Sequence, residues 1–134
     1  MKTLTQLEND DWGPPKYDSH LVTTIHQLRY QPLSAFTVEN LRIIIGQKVG
    51  LKFLVPLAIE RLADDPLCEG DYFPGDLLNA VLRIDRSYWS LYPDQRESVR
   101  EVAERAMRQL DQSKEDVSIE RDALQESSAI FRTE

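Results

Sequence analysis

The chain has 134 residues and a formal net charge of −7 at pH 7, from 23 acidic and 16 basic side chains. This length suits one domain, and a hydrophobic content of 41% is enough for a core without disulfides or metal. The excess of acid disfavours binding to a nucleic-acid backbone and favours a basic protein partner. An acidic surface also keeps many proteins soluble, so charge alone leaves both interpretations open.

The sequence predicts a cytoplasmic protein without membrane contact. Cys68 is the single cysteine, so no internal disulfide can form, which fits a reducing compartment. The first residues lack the basic start and apolar run of a secretory signal. Lys48, Lys52, Glu60 and Arg61 interrupt the most apolar stretch, so no membrane-spanning helix is predicted.

The N-terminal residues 1–18 are predicted to form an ordered strap. Residues 4–9 have the apolar spacing of a short helix, and the Gly-Pro-Pro sequence at 13–15 ends any helix there. Because an exposed loop seldom carries two large aromatic residues, we expect Trp12 and Tyr17 to fold back onto the domain.

Five further segments have the apolar spacing of helices and recognisable start or stop signals. They are 20–30, 38–48, 51–63, 74–85 and 93–112. Residues 118–128 predict only a weak helix, so we expect 113–134 to be weakly ordered. With no convincing strand pair, the fold class predicted is all-α, a single-domain irregular or orthogonal bundle of five to six helices.

An acidic loop, residues 64–76, is the best candidate for a binding surface. No basic residue lies between Arg61 and Arg83. Aromatic side chains can anchor an interface, and carboxylates can steer a basic partner to it. The candidate residues are Asp64, Asp65, Glu69, Asp71, Tyr72, Phe73 and Asp76. The alternative for individual residues is structural, namely helix capping and turn formation around Gly70 and Gly75.

No catalytic residue, metal site or cofactor is predicted. His20 and His26 are six residues apart on one helix and would point in different directions. Cys68 has no basic neighbour in sequence to lower its pKa, so we expect a passive thiol. The acidic loop lacks the alternating ligand spacing of a calcium-binding EF-hand loop. The chain is therefore not expected to be an enzyme.

An ordered series of short motifs extends over residues 7–84. They are Asp11-Trp12-Gly13 with Pro15, Tyr17-Asp18-Ser19, Leu21-Val22-Thr23-Thr24 with His26 and Leu28-Arg29, Pro32-Leu33, Phe36-Thr37-Val38-Glu39, Leu41-Arg42, Ile45-Gly46-Gln47, Gly50-Leu51, Pro56-Leu57-Ala58, Glu69-Gly70-Asp71 and Pro74-Gly75-Asp76-Leu77-Leu78. In this series the chain resembles the immunity proteins of bacterial contact-dependent growth inhibition (CDI) systems, the CdiI type.

The resemblance implies a non-catalytic protein that binds and neutralises a cognate CdiA C-terminal toxin domain. Such toxins are often nucleases, and inhibition usually occludes the active site or a nearby surface. We expect the acidic loop to be the toxin-binding surface. The alternative function is a small acidic helical adaptor or regulator that binds another basic protein. The sequence does not predict the oligomeric state.

Overall fold

Eight α-helices and one 3₁₀ turn follow one another in the part of the chain that a computed structural model describes, residues 2–15 and 19–133. The α-helices are α1 (Leu4–Glu8), α2 (His20–Leu28), α3 (Val38–Gly46), α4 (Leu51–Asp64), α5 (Asp76–Leu82), α6 (Arg86–Leu91), α7 (Pro93–Gln112) and α8 (Ser118–Thr133). The 3₁₀ turn is Leu33–Ala35. These residues form no strand, so the predicted all-α class is confirmed, although five to six helices was too low a number.

Side-chain caps fix where several helices begin. The hydroxyl of Thr37 accepts a hydrogen bond from the backbone N–H of Asn40, and the Asn40 side chain accepts one in return from the Thr37 N–H. Thr3 and Gln6 form the same reciprocal pair at α1. These bonds satisfy backbone donors that the first helical turn leaves without partners.

Helix α5 lies at the centre of the bundle. It is only seven residues long, yet five of them are buried, and it packs against α3, α4, α7 and α8. Leu77 and Val81 have no exposed surface. Burying each such side chain contributes about 1.5–3 kcal/mol. The short helix therefore fixes the segment immediately before it, which is the acidic loop.

The start of α5 corrects the predicted helix 74–85. Pro74 forms an isolated antiparallel bridge with Glu69, and Gly75 adopts the left-handed conformation with φ +95°. The helix consequently begins at Asp76, two residues later than predicted. The stretch after α5 contains the short helix α6, whose Trp89 is buried.

Helix α8 is longer than the weak helix predicted at 118–128 and occupies most of the segment 113–134 that we expected to be weakly ordered. It continues to Thr133 and packs against α5 and α7. Leu124 and Phe131 are buried, and so are Ser127 and Ser128 between them. The Ser127 hydroxyl donates to the carbonyl oxygen of Ala123 at 3.1 Å, so this polar side chain is satisfied within its own helix.

The described part of the strap, residues 2–15, lies against α2. Arg29 is buried beneath it, pairs with Glu8, and donates to the carbonyl oxygen of Asp10 at 2.6 Å. Its guanidinium lies 4.2 Å from the ring centre of Trp12. Tyr17, which we expected to pack beside Trp12, lies outside the described residues.

Candidate protein-interaction surface

The acidic loop is closed by its own backbone. The N–H of Cys68 donates to the carbonyl oxygen of Asp65 at 3.1 Å, and the N–H of Gly75 donates to that of Leu67 at 3.1 Å. The side chain of Asp65 also accepts from the Leu67 N–H at 3.1 Å. Asp65 thus caps a turn, while its side chain stays exposed.

Asp76 organises the loop from inside. Its side chain is 3% exposed, and its carboxylate accepts from the backbone N–H groups of Gly70 at 2.7 Å, Tyr72 at 3.1 Å and Phe73 at 3.4 Å. As the first residue of α5 it also lies at the positive end of the helix dipole. Although the sequence suggested Asp76 as a binding residue, in this structure its oxygens face the loop and not the solvent.

Two residues of α3 support the loop from the other side. Glu39 accepts a hydrogen bond from the backbone N–H of Asp71 at 2.9 Å. Arg42 donates to Glu39 through Nε and Nη2, and its guanidinium carbon lies 4.3 Å from the ring centre of Tyr72. The Arg42 guanidinium holds the pKa of Glu39 below its ordinary value, and burial opposes that shift.

Sequence reasoning missed Glu39 and Arg42. They lie about thirty positions before the loop. The one signal in the sequence was an acidic and a basic residue three apart on one helix, which indicates an ion pair but not what it supports. Arg42 supplies a positive charge beneath a loop that contains no basic residue of its own.

Gly70 is required where the loop meets α3. A Cβ atom at this position would lie 2.4 Å from Oε1 of Glu39 and 3.1 Å from Oδ2 of Asp76. Any side chain would therefore displace one of the two carboxylates that hold the loop amides. The close approach of backbone to carboxylate, and not a left-handed backbone, explains this glycine.

The structure leaves most of the predicted residues on the surface. Tyr72 is 70% exposed, and Phe73 is half-buried. The exposed carboxylates are those of Asp64, Asp65, Glu69 and Asp71. Asp64 ends α4, and the other three belong to the turn that follows. The acidic loop therefore presents four carboxylates and one large aromatic ring to solvent.

The described residues offer few groups for covalent or metal chemistry. Cys68 is half-buried, and burial raises the pKa of its thiol to about 11, which keeps it protonated near neutral pH. Nδ1 of His26 lies 3.1 Å from the carbonyl oxygen of Gly13 and so holds the strap. Within the described ranges no three His, Cys, Asp or Glu side chains are placed to hold a metal ion. None of the helices described is long and apolar enough to cross a membrane.

Comparison with known proteins identifies the family. The family model of CDI immunity proteins matches residues 6–99, a span that contains α2 to α6 and the whole acidic loop. No curated protein and no solved structure is significantly similar to the chain. The matched span is well over half of the sequence and includes the residues that build the loop from within. The chain therefore belongs to the family of CDI immunity proteins.

Proposed function

We propose that this immunity protein neutralises a nuclease, the C-terminal toxin domain of a cognate CdiA, by covering its phosphate-binding surface with the acidic loop. Membership of the family implies a CDI toxin as the partner. The observation that carries the finer proposal is the group of four exposed carboxylates next to the exposed ring of Tyr72. The protein acts by binding alone, in the cytoplasm of the cell that it protects.

Charge makes the acidic loop suitable for a nuclease. An enzyme that binds a nucleic-acid backbone needs Lys or Arg side chains that neutralise phosphates. Carboxylates can occupy the same positions, and opposite charges raise the association rate by about 10–10³-fold. A toxin active site filled in this way can no longer accept its substrate.

Tyr72 is the proposed anchor. Buried aromatic residues frequently dominate the binding energy of an interface. The ring of Tyr72 rests against the guanidinium of Arg42, which orients it while leaving most of its surface exposed. The contacts of Glu39 and Asp76 with the loop amides fix the backbone before binding, so less conformational entropy is lost on association.

The experiment is protection and binding with the CdiA C-terminal domain encoded next to this protein. Co-expression should allow cells to survive that toxin, and the purified proteins should form a stable complex. Glu69→Lys and Asp71→Lys should each weaken binding at least tenfold, or about 1.4 kcal/mol, at unchanged thermal stability. Glu115→Lys makes the same change in charge at an exposed position between α7 and α8 and serves as the matched control.

Different outcomes contradict different parts of the proposal. Failure of the intact protein to protect against the toxin overturns the immunity function and favours the adaptor alternative. If cells that carry either loop variant still survive the toxin, the toxin-binding surface lies elsewhere on the protein. Affinity that does not fall as salt rises contradicts electrostatic steering. A toxin without nuclease activity overturns only the assigned chemistry.

A further inference from the structure

A groove of about 900 Å³ lies between α7 and α8. The residues of α7 that line it recur every three or four positions from Pro93 to Arg108 and therefore form one face of the helix, about 22 Å long. The opposite face of α7, with Val99 and Val102, is buried in the core. Helix α7 thus has a second face that no described element covers completely.

The floor of the groove is apolar. Ala103 and Met107 are partly exposed there, and the buried ring of Phe131 closes the α8 side. Methionine has a flexible, polarizable side chain that adapts to the shape of a partner. This floor offers contacts to apolar side chains.

The rim is basic, in contrast to the whole chain. Four arginines and two glutamates line the groove, whereas the chain has a net charge of −7. Arg100 pairs with both Glu97 and Glu104. Among the described residues the lining has two more arginines than glutamates, and Arg108 and Arg132 are exposed on its rim. This excess of positive charge selects a partner with carboxylates.

We infer that the groove between α7 and α8 docks an amphipathic helix of the toxin domain, with apolar residues on one face and carboxylates along its edges. An amphipathic helix laid into an apolar groove is a common mode of recognition, and its flanking acids would meet the arginines of the rim. The identity of the partner rests on the proposed function, whereas the chemistry of the occupant rests on the groove alone.

The position of the groove supports a role in partner choice. The family model ends at residue 99, and the groove residues from Arg100 to Arg132 lie beyond it. The acidic loop lies within the matched span. The groove is thus a second surface, most of whose lining residues lie beyond the span that the family model describes, and it adds a contact of opposite charge to that of the loop.

A synthetic peptide tests the chemistry directly. A groove of about 22 Å accommodates a helix of about 15 residues. A fluorescent 15-residue helical peptide with leucines on one face and glutamates beside them should bind at least tenfold more tightly than the same peptide with lysines. Arg108→Glu and Arg132→Glu should each weaken binding of the acidic peptide at least fivefold in fluorescence anisotropy. Arg86→Glu, at an exposed position of α6 outside the groove, is the control of equal charge.

Three results would overturn the inference. Equal binding of the acidic and lysine peptides would show that the groove binds apolar side chains without selecting for carboxylates. Displacement of the acidic peptide by an equal concentration of single-stranded DNA indicates a phosphate site. A dimer in analytical ultracentrifugation that Arg108→Glu converts to monomers assigns the groove to a second copy of this chain.

Binding measurements with the toxin domain distinguish failure of this inference from failure of the proposed function. Arg108→Glu should weaken toxin binding at least fivefold beyond the effect of Arg86→Glu. If Arg108→Glu binds toxin like wild type while Glu69→Lys does not, the groove inference fails and the proposed function stands. If wild type binds no toxin, the proposed function fails and so does the toxin as occupant, while the peptide measurements still decide the chemistry of the groove.

Discussion

Replacing Asp76 with alanine tests whether one buried carboxylate holds the acidic loop. The change removes three backbone hydrogen bonds, from Gly70 at 2.7 Å, Tyr72 at 3.1 Å and Phe73 at 3.4 Å. Hydrogen bonds to a charged acceptor contribute about 1.5–3 kcal/mol each. Because the loop is at the surface, its released N–H groups can reach water, so we expect a net loss of about 2–4 kcal/mol in the free energy of unfolding.

Urea denaturation followed by circular dichroism measures this loss, which for a chain of this size corresponds to a melting temperature about 10 °C lower. Amide hydrogen exchange gives the local result. The N–H groups of Gly70 and Tyr72 should lose protection in Asp76→Ala, while amides in the middle of α7 should change only with global stability. Asp76→Asn keeps the shape and one acceptor oxygen, so it should lose about half as much stability.

A loss below about 0.5 kcal/mol with unchanged protection of both amides would refute the reasoning. The loop would then be held by its backbone contacts, the Glu69–Pro74 bridge and the Gly75 bond to Leu67. Equal effects of Asp76→Ala and Asp76→Asn would show that the negative charge, and not the number of accepted hydrogen bonds, stabilises the loop.

The remaining predictions concern the supports of the loop and the strap. Arg42 holds the pKa of Glu39 below its ordinary value of 4.5. The ionised Glu39 carboxylate therefore stabilises the folded protein above pH 4.5, and this stabilisation is lost as the pH falls through the lowered pKa of Glu39 in the folded state. Glu39→Gln should therefore flatten the dependence of unfolding free energy on pH between about 5 and 3. Gly75→Ala should cost about 1–3 kcal/mol in urea denaturation, because φ is +95° and a Cβ would meet a leucine of α8 at 3.1 Å. Arg29→Met should cost about 2–3 kcal/mol by the same measurement, because it leaves Glu8 without its buried partner.

Each of these has a contradicting result. A Glu39→Gln profile parallel to wild type between pH 5 and 3 would show that this carboxyl does not couple to folding. Gly75→Ala at wild-type stability would mean that the turn before α5 can relax without loss. Arg29→Met with unchanged stability and unchanged tryptophan fluorescence would show that the strap is held without the buried guanidinium.

The sequence was sufficient for the helices whose faces are strictly apolar or polar. The predicted segments 20–30, 38–48 and 51–63 agree with α2, α3 and α4 to within two residues at each end. It was insufficient for α8, because part of the buried face of that helix consists of Ser127 and Ser128. Small hydroxyl side chains that bond to their own helix can be buried, but a pattern of hydrophobic residues does not detect them.

The acidic loop shows the same limit for the candidate site. Its composition predicted an acidic loop with Tyr72 as a candidate binding residue, because the relevant residues are contiguous in the sequence, and in the structure the Tyr72 ring is exposed. Which carboxylates point outward could not be predicted, since Asp76 is turned inward by the amides of Gly70 and Tyr72. Glu39 was missed because its contact with the loop depends on how α3 packs against α5.

Some carboxylates of this surface hold the loop backbone and others face the solvent, and the two groups differ in how freely they can be substituted. Glu39 and Asp76 fix the shape of the loop, and Gly70 leaves room for both. The exposed side chains of Glu69 and Asp71 can be replaced without removing the hydrogen bonds of that framework, because Asp71 donates to Glu39 through its backbone. Substitutions there should change the affinity for a toxin and leave folding intact, whereas substitutions of the framework should reduce both. Under the proposed function, binding specificity can therefore change at the exposed positions while the loop that presents them stays the same.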